Sequence, residues 1–440
     1  MTAQDPAVPD RLHVRLLGIG VGPANLSLAS LLHGSPGIAH LFLDRKAAFD
    51  WHDGQNIPGA TLQVSPLKDL VTLAAPTNPY SFFSYLHEHG RLYHFVNARF
   101  DAVPRQEFRN YLEWASRRNP NVVFGEEVRA VEFDGVFVVR TDRRTLTADN
   151  VAIAVGSRPK VPPFAENMPP EGQFHVSDFV RRAGGLAGRR VCVVGGGQSG
   201  AEAFLDLISR PRGELPRQVT WVSKRRNYFP IDDSPFTNEF FMPSHSAYFA
   251  GLDRPARERF NTEQVLASDG VTEQTLRDVY QRTYVRRFVE DMKELTVFRP
   301  DREVTAVTGG AAEGWRLRLA HLSDPSAVEW IDADVVVWAT GWRPSPTPFL
   351  APIEHRLRRE GDEYLIDEHF AIRWDGPADR RLFIQNAARA QRGLADPNLS
   401  LMAWRSMRIL DRLRGTRSED QLPSFIDWAP PRACDRGDAS

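Results

Sequence analysis

Two glycine-rich turns constrain this chain more than any other feature. Gly18-Ile19-Gly20-Val21-Gly22-Pro23-Ala24 follows a strand, Val14–Gly20, that is apolar on both faces, and it opens a helix over Gly22–Leu32. Gly195-Gly196-Gly197-Gln198-Ser199-Gly200 follows the strand Arg190–Val194 and opens a helix through Ala201–Ile208. Strands apolar on both faces belong in a parallel sheet covered on both sides. Small residues let the backbone approach a pyrophosphate, and a helix N-terminus adds free N–H groups and partial positive charge. The expected fold class is α/β, with two Rossmann-like dinucleotide-binding domains.

The two turns lead into strands that end differently. The first turn carries Pro23 where a third glycine is usual; proline is acceptable in the first helical turn, where its missing N–H had no partner. The next strand, HLFLD, ends at Asp44, 24 residues after Gly20, placed to accept hydrogen bonds from a ribose. After the second turn the strand VTWVS ends at Ser223 and runs into Lys224-Arg225-Arg226. A carboxylate there would repel a 2′-phosphate, whereas a basic cluster attracts it, so NADPH is preferred over NADH. The alternative for these three residues is a solvated charge run. Two dinucleotide sites in one chain suggest a flavoprotein reduced by a pyridine nucleotide.

A third apolar strand, Asp334–Gly341, closes on Ala339-Thr340-Gly341, a small-residue turn able to pack against a flavin. The strand Val151–Gly156 precedes a proline-rich linker, PKVPPF. Between Asn238 and Glu294 the pattern becomes that of amphipathic helices, with Leu276, Val279, Tyr280 and Tyr284 near 3.6 spacing. The division read from these changes is a discontinuous FAD domain over 1–164 and 335–440, an NADPH domain over 165–237 and 295–334, and a small helical substrate lobe over 238–294.

Absences narrow the chemistry. The 55 basic and 56 acidic side chains leave a net charge of −1, so no overall field favours nucleic acid or a membrane surface. The two cysteines, Cys192 and Cys434, are too few for a disulfide framework and form no CxxC pair; Cys192 reads as a core residue. No HExxH or GxSxG motif is present, and no metal site is expected. A flavin without a protein redox partner points to O₂ as the next electron acceptor. The N-terminal MTAQDPAVPD lacks a signal-peptide pattern, no apolar run reaches ~20 residues, and a cytoplasmic location is expected. The polar, proline-rich tail is expected to be mobile at its end.

The segment FDWHDGQNIPGATLQVSPLKDLVTLAAPTNPYSFFSY, together with GIGVGPANLSLA, GGGQSGAE, DDSPFTNEFF, VVVWATGWRP and DPNLSLMAWRS, resembles the microbial N-hydroxylating flavin monooxygenases of siderophore biosynthesis. Within them it is most similar to the L-lysine N6-hydroxylases of aerobactin type. The motifs run in the family's order from residue 18 to about 406. The resemblance implies that NADPH reduces FAD, that O₂ then forms a C4a-hydroperoxyflavin, and that a neutral side-chain amine takes the distal oxygen. It also implies a homo-oligomer, often a tetramer.

By matching positions, the resemblance places Asp44, Trp51, His52 and Gln63 along the FAD, with Val128, Asn398 and Leu399 also approaching it, beside Gly18, Gly20, Gly22 and Pro23 of the first turn. Gln198, Ser199, Lys224, Arg225, Thr283 and Tyr284 would meet NADPH with Gly195 and Gly197. Thr283 departs from the asparagine common there. Lys68 and Asn238 would hold the substrate's carboxylate and α-amino group, Glu239, Phe240 and Phe241 would extend that wall, and Ser400 would face the reacting amine. Pro66 stands where a larger apolar residue is frequent.

Several of these have a plainer alternative. Lys68 could pair with Asp69 or be a surface lysine, Asn238 or Ser400 could cap a helix, and His52 could be a core histidine. No general base is evident; burial beside a flavin would itself lower the amine's ordinary pKa of ~10.4. L-ornithine, cadaverine and putrescine remain rival substrates, and an NADPH oxidase or flavin reductase is the rival of another class.

Overall fold

The computed structural model describes residues 12–166, 168–310, 312–418 and 424–428. The first residues, most of the tail and Cys434 lie outside the described residues. The first glycine-rich turn belongs to a seven-stranded sheet. Its parallel part runs Val122–Phe124, His40–Asp44, His13–Ile19 and Thr145–Ile153. The long last strand changes partner along its length. Its first half pairs antiparallel with Val136–Thr141, which continues to Val128–Asp134, and its second half pairs parallel with Arg381–Ile384. Leu17 sits opposite Val151 and Gly18 opposite Ala152, which leaves side chains on both faces buried. Helices Pro23–Leu32, Arg105–Arg118 and Met402–Arg414 cover one face.

The second turn belongs to a five-stranded, all-parallel sheet in the order Thr296–Arg299, Gln218–Val222, Arg190–Val194, Val335–Trp338, Gln173–His175. Helix Gln198–Ser209 packs on one face, and a three-stranded antiparallel sheet (Arg302–Gly310, Gly314–His321, Val328–Ala333) covers the other. Cys192 lies in the core between them, its thiol pushed up to about 12 by burial.

The strand Val335–Trp338, read from the sequence as the start of the FAD domain's second half, is hydrogen-bonded inside the second sheet instead. The chain crosses back only after it, through Trp342–Pro344, which pairs antiparallel with the linker strand Ser157–Pro159. The boundary at 335 therefore falls some residues early. An apolar strand carries no mark of which sheet will claim it.

The helical segment after residue 238 is shared between the units. Phe241, Phe260 and Ala267 join the core of the first unit. Val271, Leu276 and Val279 join that of the second. Gly270 marks the change; a Cβ there would lie 2.2 Å from the Ile231 backbone. No helix among the described residues is long and apolar enough to cross a membrane.

Candidate active site

Local geometry fixes the register of the two turns. Gly20 (φ +89) and Gly195 (φ +137) both end a strand in conformations reserved for glycine. A Cβ on Gly20 would lie 2.4 Å from the Ala154 carbonyl, and one on Gly195 would lie 2.0 Å from that of Ala339. Gly22 and Gly197 are the residues before the two helices, extended and without any side-chain cap. Open space surrounds a Cβ at Gly22, and only the Asp269 carbonyl comes near one at Gly197. These two helix starts thus leave N–H groups and room together, which suits a pyrophosphate at each.

This register corrects the expectation for Pro23. The fingerprint is Gly20-x-Gly22-x-x-Asn25 against Gly195-x-Gly197-x-x-Gly200, and Pro23 is simply the first helical residue. Gly200 packs so tightly on the Gly195 carbonyl that a Cβ would lie 2.2 Å from it. Asn25 fills the same place by donating to the carbonyls of Ile19, Gly20 and Ala152. Gly18 lies inside the strand, where its bareness makes room for the Phe42 ring.

Asp44 is buried at its strand end. One oxygen accepts from Val21 N–H of the turn at 2.7 Å, the other from Lys46 N–H at 2.9 Å. An ionised carboxylate has about four acceptor positions, so two remain for ribose hydroxyls. Val128 starts a strand beside this point, two residues after Glu126, whose N–H binds the Asp44 carbonyl. Trp51, His52, Trp342 and His175 form a line of edge-to-face rings with centroids 5.1–5.4 Å apart. It runs from the loop after the first unit's second strand to the crossover between units. His52 adopts a left-handed backbone, φ 56. Its ring is accessible, yet protein crowds it on most sides, and that desolvation pushes its pKa down to about 4. His175 donates from Nε2 to the Gly341 carbonyl while Ser177 N–H donates to Nδ1, and burial lowers it to about 4 as well. Gln63 is exposed on the loop leading to Lys68, and Leu399 is half-buried against the first core.

On the NADPH side the sequence-derived residues separate. Lys224 is exposed at the strand end. Arg225 folds over the turn, donating to the carbonyls of Gly196 (3.1 Å) and Asp269 (2.9 Å). Gln198 spends its side chain on Glu202, Thr275 and Thr272, tying two helices together, so what it can offer a phosphate is its backbone. Ser199 receives a short hydrogen bond from Gln55 of the first unit. Thr283 and Tyr284 lie away from the glycine-rich turn itself. Their helix, Glu273–Tyr284, starts beside Gln198 but ends beside Ile208–Arg210, whose carbonyls Arg286 binds at 2.8 and 2.6 Å. At ~1.5 Å per residue that end lies ~15 Å from the turn. Tyr284 is exposed and its ring meets that of Phe288 at a tilt. The segment that does lie over the turn is Ser268-Asp269-Gly270. Only the clash-prone Gly270 marked it in the sequence, and one glycine before a helix is a weak signal.

Lys68 is half-buried, with Nζ 5.8 Å from the Phe241 ring centroid. It has no ion-pair partner among the described residues. Asp69 is not available to it: that carboxylate is buried and accepts from the N–H groups of Val71, Thr72 and Phe82 and from the Thr72 hydroxyl. Desolvation lowers the Lys68 pKa. Asn238 donates to the carbonyls of Asp233 and Ser234, closing the DDSPF loop on itself. Glu239 is buried and accepts from the Ser424 hydroxyl at 2.6 Å. Phe240 enters an aromatic cluster with His245, Phe260 and Trp428. The Ser400 hydroxyl donates to Asn398, which also caps the short helix that Ser400 begins to build.

His245 can be tested separately, because both ring nitrogens are buried and neither makes a well-formed hydrogen bond among the described residues. Burial lowers its pKa to about 4, opposed by the nearby Phe240 backbone. Between pH 6.5 and 4 the unfolded histidine binds a proton that the folded one refuses, so stability falls as pH falls through that window. His245→Phe removes the unsatisfied groups and is expected to raise the melting temperature by about 2 °C at pH 7, and by more at pH 5. A lowered melting temperature at both pH values contradicts this.

Sequence reasoning missed the contact between units. Arg105 of the first meets Glu202 of the second in a bidentate pair at 2.7 and 3.0 Å, both side chains nearly buried. Neither residue stands out in sequence, since the pair forms only when two remote helices meet.

Two dinucleotide folds, with open helix N-termini and a line of aromatic rings between them, define a flavoprotein that takes electrons from a pyridine nucleotide. Residues 13–344 match the L-lysine 6-monooxygenase/L-ornithine 5-monooxygenase family. The chain is 37% identical to L-lysine N6-monooxygenase of Escherichia coli over 94% of its length and 98% of that protein's. Among solved structures it resembles the FAD-bound cadaverine monooxygenase of Erwinia amylovora (TM-score 0.88, 26% identity, 96% and 99% of the two chains). It also resembles an ornithine N-hydroxylase of Kutzneria sp. 744 with reduced FAD, NADP⁺ and L-ornithine (TM-score 0.82, 29% identity, 92% and 99%). The chain belongs to the lysine/ornithine N-monooxygenase family: it is a flavin-dependent N-hydroxylating monooxygenase with FAD and NADPH as cofactors.

Proposed function

We propose that the substrate is L-lysine, hydroxylated on its side-chain amine in the cytoplasm toward a hydroxamate siderophore or a related N–O product. The observation that carries this reading is Lys68, a partly desolvated cation without an ion-pair partner among the described residues, beside the Asn238–Phe241 wall. A cation so placed gains from a carboxylate, and lysine has one. A diamine would offer it a second ammonium, and like charges repel. The 37% identity to a lysine enzyme supports the same choice. L-Ornithine satisfies Lys68 equally, and the likeness to a cadaverine enzyme keeps the diamines as rivals.

When bound, FAD reduced by NADPH would supply the activation of O₂ and the oxygen atom that the amine takes up. The chain's residues do the rest. Lys68 anchors the far end of the substrate and Asn238 and Glu239 flank it, so that the amine reaches toward Ser400 and Leu399. Only an unprotonated amine has the lone pair that the reaction needs. His52, neutral above about pH 5, adds no positive charge beside it. Desolvation in the cleft lowers the amine's pKa, so its proton passes to solvent water as the substrate binds, without a dedicated base.

The deciding measurement is hydroxylamine formed per NADPH and O₂ consumed, over lysine, ornithine, cadaverine and putrescine. Lysine is expected to give the highest coupled kcat/KM. No coupled product with lysine rejects the reading, and NADPH oxidation indifferent to every amine would favour a plain oxidase. For the nicotinamide carrier, Lys224→Ala is expected to raise the KM for NADPH about ten-fold and leave that for NADH unchanged, since it removes one exposed cation from the 2′-phosphate. Equal effects on both would place Lys224 elsewhere. Resemblance to the family also supports a homo-oligomer, with a tetramer as the outcome expected in sedimentation.

A further inference from the structure

Asn25 begins a buried polar chain that leads away from the first turn. Its Nδ2 holds the Ile19, Gly20 and Ala152 carbonyls, and its Oδ1 accepts from Gln385 Nε2 at 2.9 Å. Gln385 Oε1 accepts from Arg405 Nε at 3.3 Å. Arg405 donates to the Asp396 carbonyl (2.6 Å) and carboxylate (3.1 Å), and through its remaining nitrogen to Asn386. Asp396 closes the chain by accepting from Ala388 N–H at 2.8 Å. Asn25, Gln385, Asp396 and Arg405 are each no more than 3% exposed.

The placement matters more than the count of bonds. The strand Arg381–Ile384 ends on the same sheet edge as the first turn, and the loop 385–398 leaves from there. That carboxyl edge is where an open parallel sheet takes its ligand. The loop leads into Asn398 and Leu399. It contains Asn386 at φ 59, a conformation that its neighbours must hold in place. Burying a guanidinium and a carboxylate is costly for stability, and an apolar core of the same shape would serve packing as well or better. A fully satisfied polar chain instead fixes one geometry.

We propose that Asn25, Gln385, Arg405 and Asp396 form a positioning relay that locks the pyrophosphate-binding turn to the loop 385–398, so that seating FAD at one end orders the flavin-facing residues at the other. Arg405 and Gln385 are positioning residues here, acting through the loop. The inference rests on the FAD assignment of the first turn. It adds that the third-glycine place, filled by asparagine, is the point at which the turn reports to that loop.

Two variants test it. Gln385→Leu cuts the chain and leaves the Arg405–Asp396 pair intact. Arg405→Lys keeps a cation near Asp396 but loses the fork that spans Gln385 and Asn386. Apoprotein of each is titrated with FAD by fluorescence, thermal unfolding is recorded, and the hydroxylamine formed per NADPH consumed is measured on the reconstituted enzyme. The relay predicts that the FAD Kd rises at least ten-fold and that the coupled fraction falls at least two-fold, in both variants. A merely structural role lowers the melting temperature and leaves FAD affinity and coupled fraction at wild-type values, and that result overturns the proposal. Should Gln385→Leu fail to fold, Arg405→Lys alone decides by the same two readouts. Wild-type apoprotein unable to take up FAD would instead reject the underlying cofactor site, before any variant is compared.

Discussion

Lys68→Met is expected to raise the KM for lysine by about 30- to 300-fold while lowering kcat by less than ten-fold. Truncating one partner of a desolvated, charge-assisted contact costs ~2–5 kcal/mol, and Lys68 is only half-buried, so the lower half of that range applies. The loss falls on KM because the contact lies at the far end of the substrate and is made equally before and during oxygen transfer. Cadaverine is expected to behave oppositely: without a carboxylate it gains from removal of the like charge, so the preference for lysine over cadaverine shrinks or inverts. The pH dependence has a definite sign. Burial lowers the Lys68 pKa, so its charge is lost at a lower pH than for a free lysine, and KM climbs as pH rises through that value. The substrate amine meanwhile loses its own proton and kcat climbs. Steady-state kinetics from pH 7 to 10 separate the two, and the KM limb should vanish in the Met variant. A KM for lysine unchanged by the substitution would show that Lys68 does not hold the substrate.

How much the sequence disclosed depended on the range of the interactions involved. The strand–turn–helix units were legible because each is written in contiguous residues with a period that only one structure satisfies. Lys68 was legible as an anomaly, a cation in an apolar run, and the structure removes one plainer explanation, a pair with Asp69, whose carboxylate is taken up by three backbone N–H groups and the Thr72 hydroxyl. Thr283 and Tyr284 came from positions matched to the family; their helix ends away from the turn, while Ser268–Gly270, before its start, lies over it. The sheet that owns Val335–Trp338, the pair Arg105–Glu202 and the chain from Asn25 to Arg405 join segments tens to hundreds of residues apart, and no local pattern encodes such pairings. The register of the first turn was hidden for a different reason. Three glycines at alternate positions allow two fingerprints, and only the positive φ of Gly20 chooses between them.

That choice gives the other large effect. Gly195→Ala is expected to leave a yellow protein whose flavin dithionite still reduces but NADPH reduces at least 100-fold more slowly. The reason is not chiefly the approach of a pyrophosphate. A Cβ at Gly195 would lie 2.0 Å from the Ala339 carbonyl, in a backbone conformation that L-residues avoid, and strain of this kind costs ~3 kcal/mol or more. Ala339 is pinned by its own N–H to Val194, so the strain is released by moving the turn or by moving the crossover after Ala339. Either movement acts on electron delivery. The first displaces the N-terminus of helix Gln198–Ser209. The second shifts Gly341 and Trp342, which His175 ties to the second unit and His52 meets from the first. Gly20 rests on the Ala154 carbonyl in the same manner, but within the other sheet, so Gly20→Ala is expected to empty the protein of FAD. Flavin content by absorbance and stopped-flow reduction by NADPH distinguish the two variants. If Gly195→Ala lost its flavin while Gly20→Ala kept it, the assignment of the turns to their cofactors would be reversed.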